Sequence, residues 1–357
     1  MTTLPFQAQT GEQPPEAGAD FSDVPVGPLG RSGVMLPRFG LGCAGLGELF
    51  TEVNEREAEA LLAAAWGAGI RYFDTAPWYG RGKSEHRVGR FLWEKPRAAV
   101  TLSTKVGRVF QRRADPRRPI ADQWIGGLPF EHRFDYGYDG IMRSFEDSLQ
   151  RLGIDTVDLL VIHDLDPWHH DDAALERHLL ELAGSGWRAL DELKRFGHVK
   201  AVGAGINLCG FTGRFLDAMP LDFFLIALRY TLLEHAEFLD REMPRLARDG
   251  VGVVVGGVFS SGLGATGPVA GARFNYGPAG DDILTRCRTI EAVCRDHDVP
   301  LAAAALQFPL RHGVVASVIP GAVREGEVRD LGEWFRQEIP GAFWADLQAR
   351  GLMAESA

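Results

Sequence analysis

A regular alternation of two hydrophobic patterns constrains the fold of this chain more than any other feature. From about residue 39 onward a short β-rich run is followed by a stretch of helical period, and the pair recurs eight times. The strand-like runs are 39–43, 71–75, 100–105, 156–163, 199–205, 222–228, 251–256 and 315–319. The helix-like stretches are 55–67, 84–93, 139–152, 186–196, 211–218, 237–249, 281–297 and 325–334, with one more short helix expected over 340–353. Runs such as Val253-Val-Val and Val157-Asp-Leu-Leu-Val-Ile are largely continuous and apolar, which suits parallel strands covered on both faces. Eight such units in roughly 300 residues predict an α/β protein built as a single (β/α)8 barrel, not two open sheets. Val26-Gly-Pro-Leu and Val34-Met-Leu-Pro flank the turn-rich Gly30-Arg-Ser-Gly33 and predict an N-terminal β-hairpin. Residues 1–22 are rich in Pro, Gly, Gln and Glu and are expected to form a loosely held tail, leaving 23–357 as one barrel. The connections 107–138 and 164–185 are expected to be long loops at the C-terminal rim, where such loops serve as lids or binding segments.

Composition narrows the partners. Lys and Arg number 38 against 48 Asp and Glu, a net charge of −10. That field repels nucleic acid and anionic membrane. No run approaches the length of a membrane span. The four cysteines, Cys43, Cys209, Cys287 and Cys294, form no C-x-x-C pair, and the first residues carry no export pattern. The expected setting is a reducing cytoplasm, with a small molecule as partner and a monomer or homodimer as assembly.

In a barrel of this kind reactive groups sit where strands end and loops begin. The second strand ends at Asp74, closely followed by Tyr79; the third ends at Lys105; the fourth ends at His163. A phenol is a poor acid or base near neutrality. An ammonium beside it favours the phenolate, so Lys105 is expected to lower the Tyr79 pKa while Asp74 holds and orients the ammonium. His163 is expected to hydrogen-bond a substrate oxygen. Such a set moves one proton at a carbonyl or alcohol oxygen and complements hydride transfer at the attached carbon.

Phe73-Asp-Thr-Ala-Pro-Trp-Tyr-Gly80, Ser103-Thr-Lys-Val-Gly107 and Asp158-Leu-Leu-Val-Ile-His163 resemble the three active-site motifs of the aldo-keto reductases. Pro37-Arg-Phe-Gly-Leu-Gly42 and Ser144-Phe-Glu-Asp-Ser-Leu-Gln-Arg-Leu-Gly153 resemble that family too. The resemblance implies that Tyr79 is the general acid/base, that Lys105 and Asp74 tune it, and that His163 orients the substrate. It also implies a nicotinamide cofactor laid across the rim. Gly42, Cys43 and Ala44 would then meet the nicotinamide end and Asn207 its carboxamide. Phe259, Ser260, Ser261, Gly262 and Leu263 would cover ring and diphosphate; Pro320, Gly321, Ala322, Arg324 and Glu327 would form the adenosine loop. The family's Gln three residues before a Tyr is here Ala227 before Tyr230. Gly321 and Glu327 stand where NADPH-using relatives place Lys and Arg; a carboxylate repels a 2′-phosphate and accepts from ribose hydroxyls, so NAD is expected over NADP.

Phe134-Asp-Tyr, Ile162-His-Asp-Leu-Asp166, Arg229-Tyr-Thr-Leu-Leu-Glu234 and Leu301-Ala-Ala-Ala-Ala-Leu-Gln-Phe308 resemble the family's sugar dehydrogenases. That implies oxidation of a hemiacetal carbon of L-fucose, D-arabinose or L-galactose to the lactone, with pyridoxal or another aldehyde or alcohol as the alternative and a low-turnover cofactor-binding regulatory subunit as a third. Trp78, Asp164 and Trp168 are the candidate substrate contacts. Other motifs read as ordinary structure. Gly40-Leu-Gly-Cys-Ala-Gly45 spells a dinucleotide fingerprint, but Asp74 lies 29 residues beyond Gly45 and no helix opens at the glycines. His169-His-Asp-Asp172 is expected to be a solvated acidic loop without metal, and Arg108, Arg112, Arg113, Arg117 and Arg118 a solvated basic one. Ser260-Ser261 makes no G-x-S-x-G elbow.

Overall fold

The computed structural model describes residues 21–120 and 122–355. Eight parallel strands form one sheet in sequential order: β1 (Leu41–Gly42), β2 (Tyr72–Asp74), β3 (Thr101–Val106), β4 (Val157–His163), β5 (Val199–Ile206), β6 (Phe223–Ala227), β7 (Gly252–Gly256) and β8 (Val315–Ile319). Bridges from Phe39 to Val318 and from Gly42 to Gly321 join β8 back to β1 and close the barrel. The Gly42 N–H donates to Pro320 O at 2.9 Å, and a Cβ at Gly42 would stand 2.8 Å from Ile319 O. Only glycine tolerates that approach.

Period-two alternation sorts each strand into two faces. Leu160 and Ile162 of β4 pack outward against the helices, in the large core with Leu61, Phe145 and Leu190. Leu159 and Val161 point inward with Tyr72, Ala201, Phe223, Leu225 and Val254. Leu29 and Leu36, from the hairpin Val26–Pro28/Met35–Pro37, join this inner cluster and plug the barrel floor. The expected hairpin is therefore present.

The helices follow the expected periodicity, with three corrections. The connection after β4 is shorter than expected. A helix runs over Asp172–Glu181, passes through a π turn at Leu182–Gly186 and continues as Trp187–Arg195. Asp171 caps it by accepting from Ala174 N, and Leu175, Leu179 and Leu182 make its buried stripe. The expected helix 237–249 breaks at Glu242, whose carboxylate accepts from Gly210 N and Thr212 Oγ1. Leu301–Gln307 is a helix that the sequence reading did not separate out. Phe21, counted with the tail, is buried and stacks on Phe39 at 4.4 Å; residues 1–20 lie outside the described part. The long connection after β3 carries an antiparallel hairpin, Arg108–Arg112 with Phe130–Phe134. Among the described residues no helix is long and apolar enough to cross a membrane.

Candidate active site

The alternation that points Tyr72, Ser103 and Val161 into the barrel also directs Asp74, Lys105 and His163 inward, one pleat higher. Asp74 and His163 end their strands and Lys105 stands one residue before the end of its own, all at the C-terminal rim. Asp74 and Lys105 are buried and paired: Lys105 Nζ donates to Asp74 Oδ2 at 2.8 Å and to Thr75 O at 2.8 Å, while Ser103 Oγ donates to Asp74 Oδ1 at 2.6 Å. The ammonium lies 4.5 Å from the centre of the Tyr79 ring.

Tyr79 enters from the turn after β2. Gly80 and Arg81 there adopt left-handed backbone, with φ of 63° and 54°. Arg81 is buried and pinned to the rim loop through Leu128 O at 2.6 Å and through Asp122, which fixes the kink. The Tyr79 ring sits 6.0 Å from that of His163, edge to face. The expectation that Lys105 lowers the Tyr79 pKa is not met. Burial, and next the Asp74 carboxylate, push the phenol well above its usual value. The ammonium is neutralised by the carboxylate it already holds, so it has little charge left to spend on the phenol. In this state Tyr79 is a proton donor at neutral pH. In the oxidative direction, where it must accept a proton, kcat/KM is therefore expected to climb roughly tenfold per pH unit through the neutral and mildly alkaline range. Steady-state rates across that range check this; a plateau near neutrality would contradict it.

His163 is buried, and burial holds its imidazole neutral, well below the usual value. Its Nε2 faces Asp164 Oδ2 at 3.5 Å, while its Nδ1 is sealed in without a hydrogen-bond partner among the described residues. A carboxylate on that side favours the Nε2–H tautomer, so the imidazole presents a donor to the cavity.

A polar network surrounds this centre, and much of it escaped the sequence reading. Asp164, at φ 55°, accepts from Arg108 Nη2 at 2.6 Å and from Asn207 Nδ2 at 3.1 Å. Burial opposes its charge, but the buried Arg108 guanidinium, which pairs with it and donates to it, holds the carboxyl well below the usual range. Asp166, fully buried, binds Asn207 N, Asn207 Nδ2 and His169 Nδ1. Arg229 holds Asn207 O at 2.6 Å and Asn275 Oδ1 at 3.1 Å. Arg108 is not a solvated loop residue: it is buried, with its guanidinium between the rings of Trp78 (4.5 Å) and Phe134 (4.4 Å). Arg112, Arg117 and Arg118 are exposed. The run 169–172 is not simply solvated either. His170 is buried beside Tyr136 Oη at 3.3 Å, and Asp171 is a helix cap. Among the described residues no group of three or more His, Cys, Asp and Glu side chains is placed to hold a metal ion.

The centre opens onto a rim cavity of about 760 Å³. Tyr79, Lys105, His163, Asp164, Trp78 and Trp168 all face it, as do Arg108, Trp124, Phe134 and Tyr276. Tyr276 arrives on a small hairpin, Arg273–Phe274 with Gly277–Pro278, tied down by Ser261 Oγ accepting from its N–H. Of the expected cofactor contacts, Ala44 and Asn207 line the cavity. The Asn207 amide nitrogen is held by two carboxylates, which leaves Oδ1 open as an acceptor for a carboxamide N–H₂. Ala227 lines the next strand end and offers no second polar contact; Tyr230 is buried against Phe238 and Phe308 instead. Phe259 to Leu263 follow β7, with Ser260 Oγ paired to Thr231 Oγ1 and Phe259 packed edge-on to Trp334. Pro320 to Glu327 follow β8, beside Gly42. The Cys43 side chain is buried in the core, so only its backbone can face a ligand. The residues present fit a nicotinamide at the Asn207 side of the cavity.

A sequence profile of the aldo/keto reductase family matches residues 38–350. The chain belongs to that family. It is an oxidoreductase of the NAD(P)-dependent kind. It is 42% identical over 338 residues to the pyridoxal 4-dehydrogenase of Microbacterium luteolum, covering 91% of this chain and 97% of that one. It is 40% identical over 334 residues to the D-threo-aldose 1-dehydrogenase of a Pseudomonas species, covering 90% and 96%. In fold it resembles an aldo-keto reductase of Bacillus halodurans in its holo form, with a TM-score of 0.70 and 24% identity over 93% of this chain and 97% of the other. The expected barrel and family are both present in this protein.

Proposed function

We propose that this aldo/keto reductase oxidises C1 of a neutral cyclic aldose to the lactone, with NAD as oxidant and the cytoplasm as its setting. The observation that carries the proposal is the convergence of the Tyr79 hydroxyl and the His163 Nε2–H on one cavity, above the buried Asp74–Lys105 pair. His163 donates to O1 and orients the hemiacetal. Tyr79 takes the O1 proton as the C1–O1 bond becomes a carbonyl. The bound dinucleotide supplies the acceptor for the hydride leaving C1. Trp78 and Trp168 line the cavity as aromatic walls for a sugar ring, and Arg108 is already paired with Asp164, so among the described residues the lining offers no spare cation for an anionic substrate. The 40% identity to the Pseudomonas enzyme supports the substrate class.

Purified protein mixed with NAD and L-fucose, D-arabinose or L-galactose should produce NADH absorbance. Signal with pyridoxal alone would favour the second reading, which rests on the 42% identity to the Microbacterium enzyme and on the aromatic walls Trp78, Trp124 and Phe134. Dinucleotide binding without turnover on any substrate would favour a regulatory subunit.

Glu327 supports the reading of NAD as the preferred dinucleotide. Its Oε2 accepts from Val323 N at 2.7 Å, which fixes the carboxylate at the head of the helix Glu325–Arg336. A phosphate brought beside it would meet like charge. Glu327→Lys is expected to shift the NAD-to-NADP ratio of kcat/KM toward NADP by roughly tenfold or more; an unchanged ratio would remove Glu327 from cofactor choice.

A further inference from the structure

Asp164 holds a left-handed backbone that a non-glycine residue rarely adopts, and it does so directly after His163 at the end of β4. Strained positions of this sort persist only where surrounding contacts over-determine them, and they cluster at functional sites. Here the contacts come from three sides. Arg108 Nη2 reaches Oδ2 at 2.6 Å, Asn207 Nδ2 reaches Oδ1 at 3.1 Å, and on the histidine side His163 Nε2 and His169 Nε2 each stand 3.5 Å from Oδ2. Arg108 cannot swing away: Trp78 and Phe134 sandwich it, and its Nη1 is 2.6 Å from His132 Nε2. Burial holds that imidazole neutral, with its pKa lowered to about 4, so it serves the guanidinium as an acceptor.

An ionised carboxylate has about four lone-pair sites. Two are taken by Arg108 and Asn207, and the carboxylate still faces the cavity. A substrate oxygen bound at His163 Nε2 brings the oxygen on the neighbouring carbon against this carboxylate, because vicinal oxygens lie about a hydrogen-bond length apart. We propose that Asp164, locked by Arg108, accepts a hydrogen bond from the hydroxyl on the carbon next to the reacting one and so selects α-hydroxy hemiacetals. This rests on the function proposed above and names the feature that its substrates share. Asp164 is a specificity-determining residue here; the proton chemistry stays with Tyr79 and His163.

The test compares D-arabinose with 2-deoxy-D-ribose, its analogue lacking the C2 hydroxyl, each oxidised with NAD by the full-length protein. The wild type is expected to favour the hydroxylated sugar in kcat/KM by between about tenfold and a hundredfold, the range of one hydrogen bond to a charged group. Asp164→Asn should bring that ratio close to unity, with kcat/KM for D-arabinose falling further than that for the deoxy sugar. Arg108→Lys, which keeps the charge but loses the fork, should give an intermediate ratio. Equal losses on both sugars would show Asp164 to be structural only and overturn the proposal. A wild type that oxidises both sugars alike would overturn it whether or not the variants fold. No turnover of either sugar by the wild type would bring down the function reading and this inference together.

Discussion

Tyr79→Phe is expected to lower kcat for the oxidation by roughly 10²–10⁴-fold, the usual worth of a placed proton acceptor. The ring keeps its neighbours, Trp124 at 5.7 Å and His163 at 6.0 Å, and Lys105 still faces it at 4.5 Å. Only the hydroxyl is lost, and it takes no part in the Asp74–Lys105 pair. Thermal stability and dinucleotide affinity should therefore stay close to wild type, as melting and fluorescence titration would report. The combination matters: a rate collapse in a stable, cofactor-binding protein separates proton transfer from folding. A variant that kept most of its rate would remove Tyr79 from the chemistry and leave His163 as the remaining candidate.

Lys105→Met produces the second large effect, and it falls on stability as well as on rate. Asp74 would be left almost fully buried with Ser103 Oγ as its remaining side-chain partner. Breaking a buried pair by removing one member costs roughly 3–5 kcal/mol, because the other charge loses its compensation. In a domain of this size that is a fall in melting temperature on the order of 10 °C. Thr75 O would also lose its donor. Adding Asp74→Asn to the same chain removes the stranded charge and should restore most of the stability. The rate should not return, because the group facing Tyr79 is still gone. A double variant as unstable as the single one would show that the loss came from packing around the methylenes and not from the charge.

The order of the strands and the parity of each catalytic residue were legible in the linear chain. Asp74 is two residues past Tyr72, Lys105 two past Ser103 and His163 two past Val161; alternation along a strand needs no tertiary information. The run 164–185 was harder to read because its histidines and acids mask the Leu175, Leu179, Leu182 stripe that makes most of it helical. Two matters were decided only by the folded structure. One is the Tyr79 pKa, because a lysine's effect on a phenol depends on what else the ammonium already holds, and here that is Asp74 at 2.8 Å. The other is the role of Arg108. In the sequence it stands near four other arginines and looks like theirs. In the barrel, the rim hairpin folds it between Trp78 and Phe134 and onto Asp164, residues 26 to 56 positions away. Strand periodicity is a local property and is written in the chain; charge compensation is set by distances through space, and those exist only after the barrel closes.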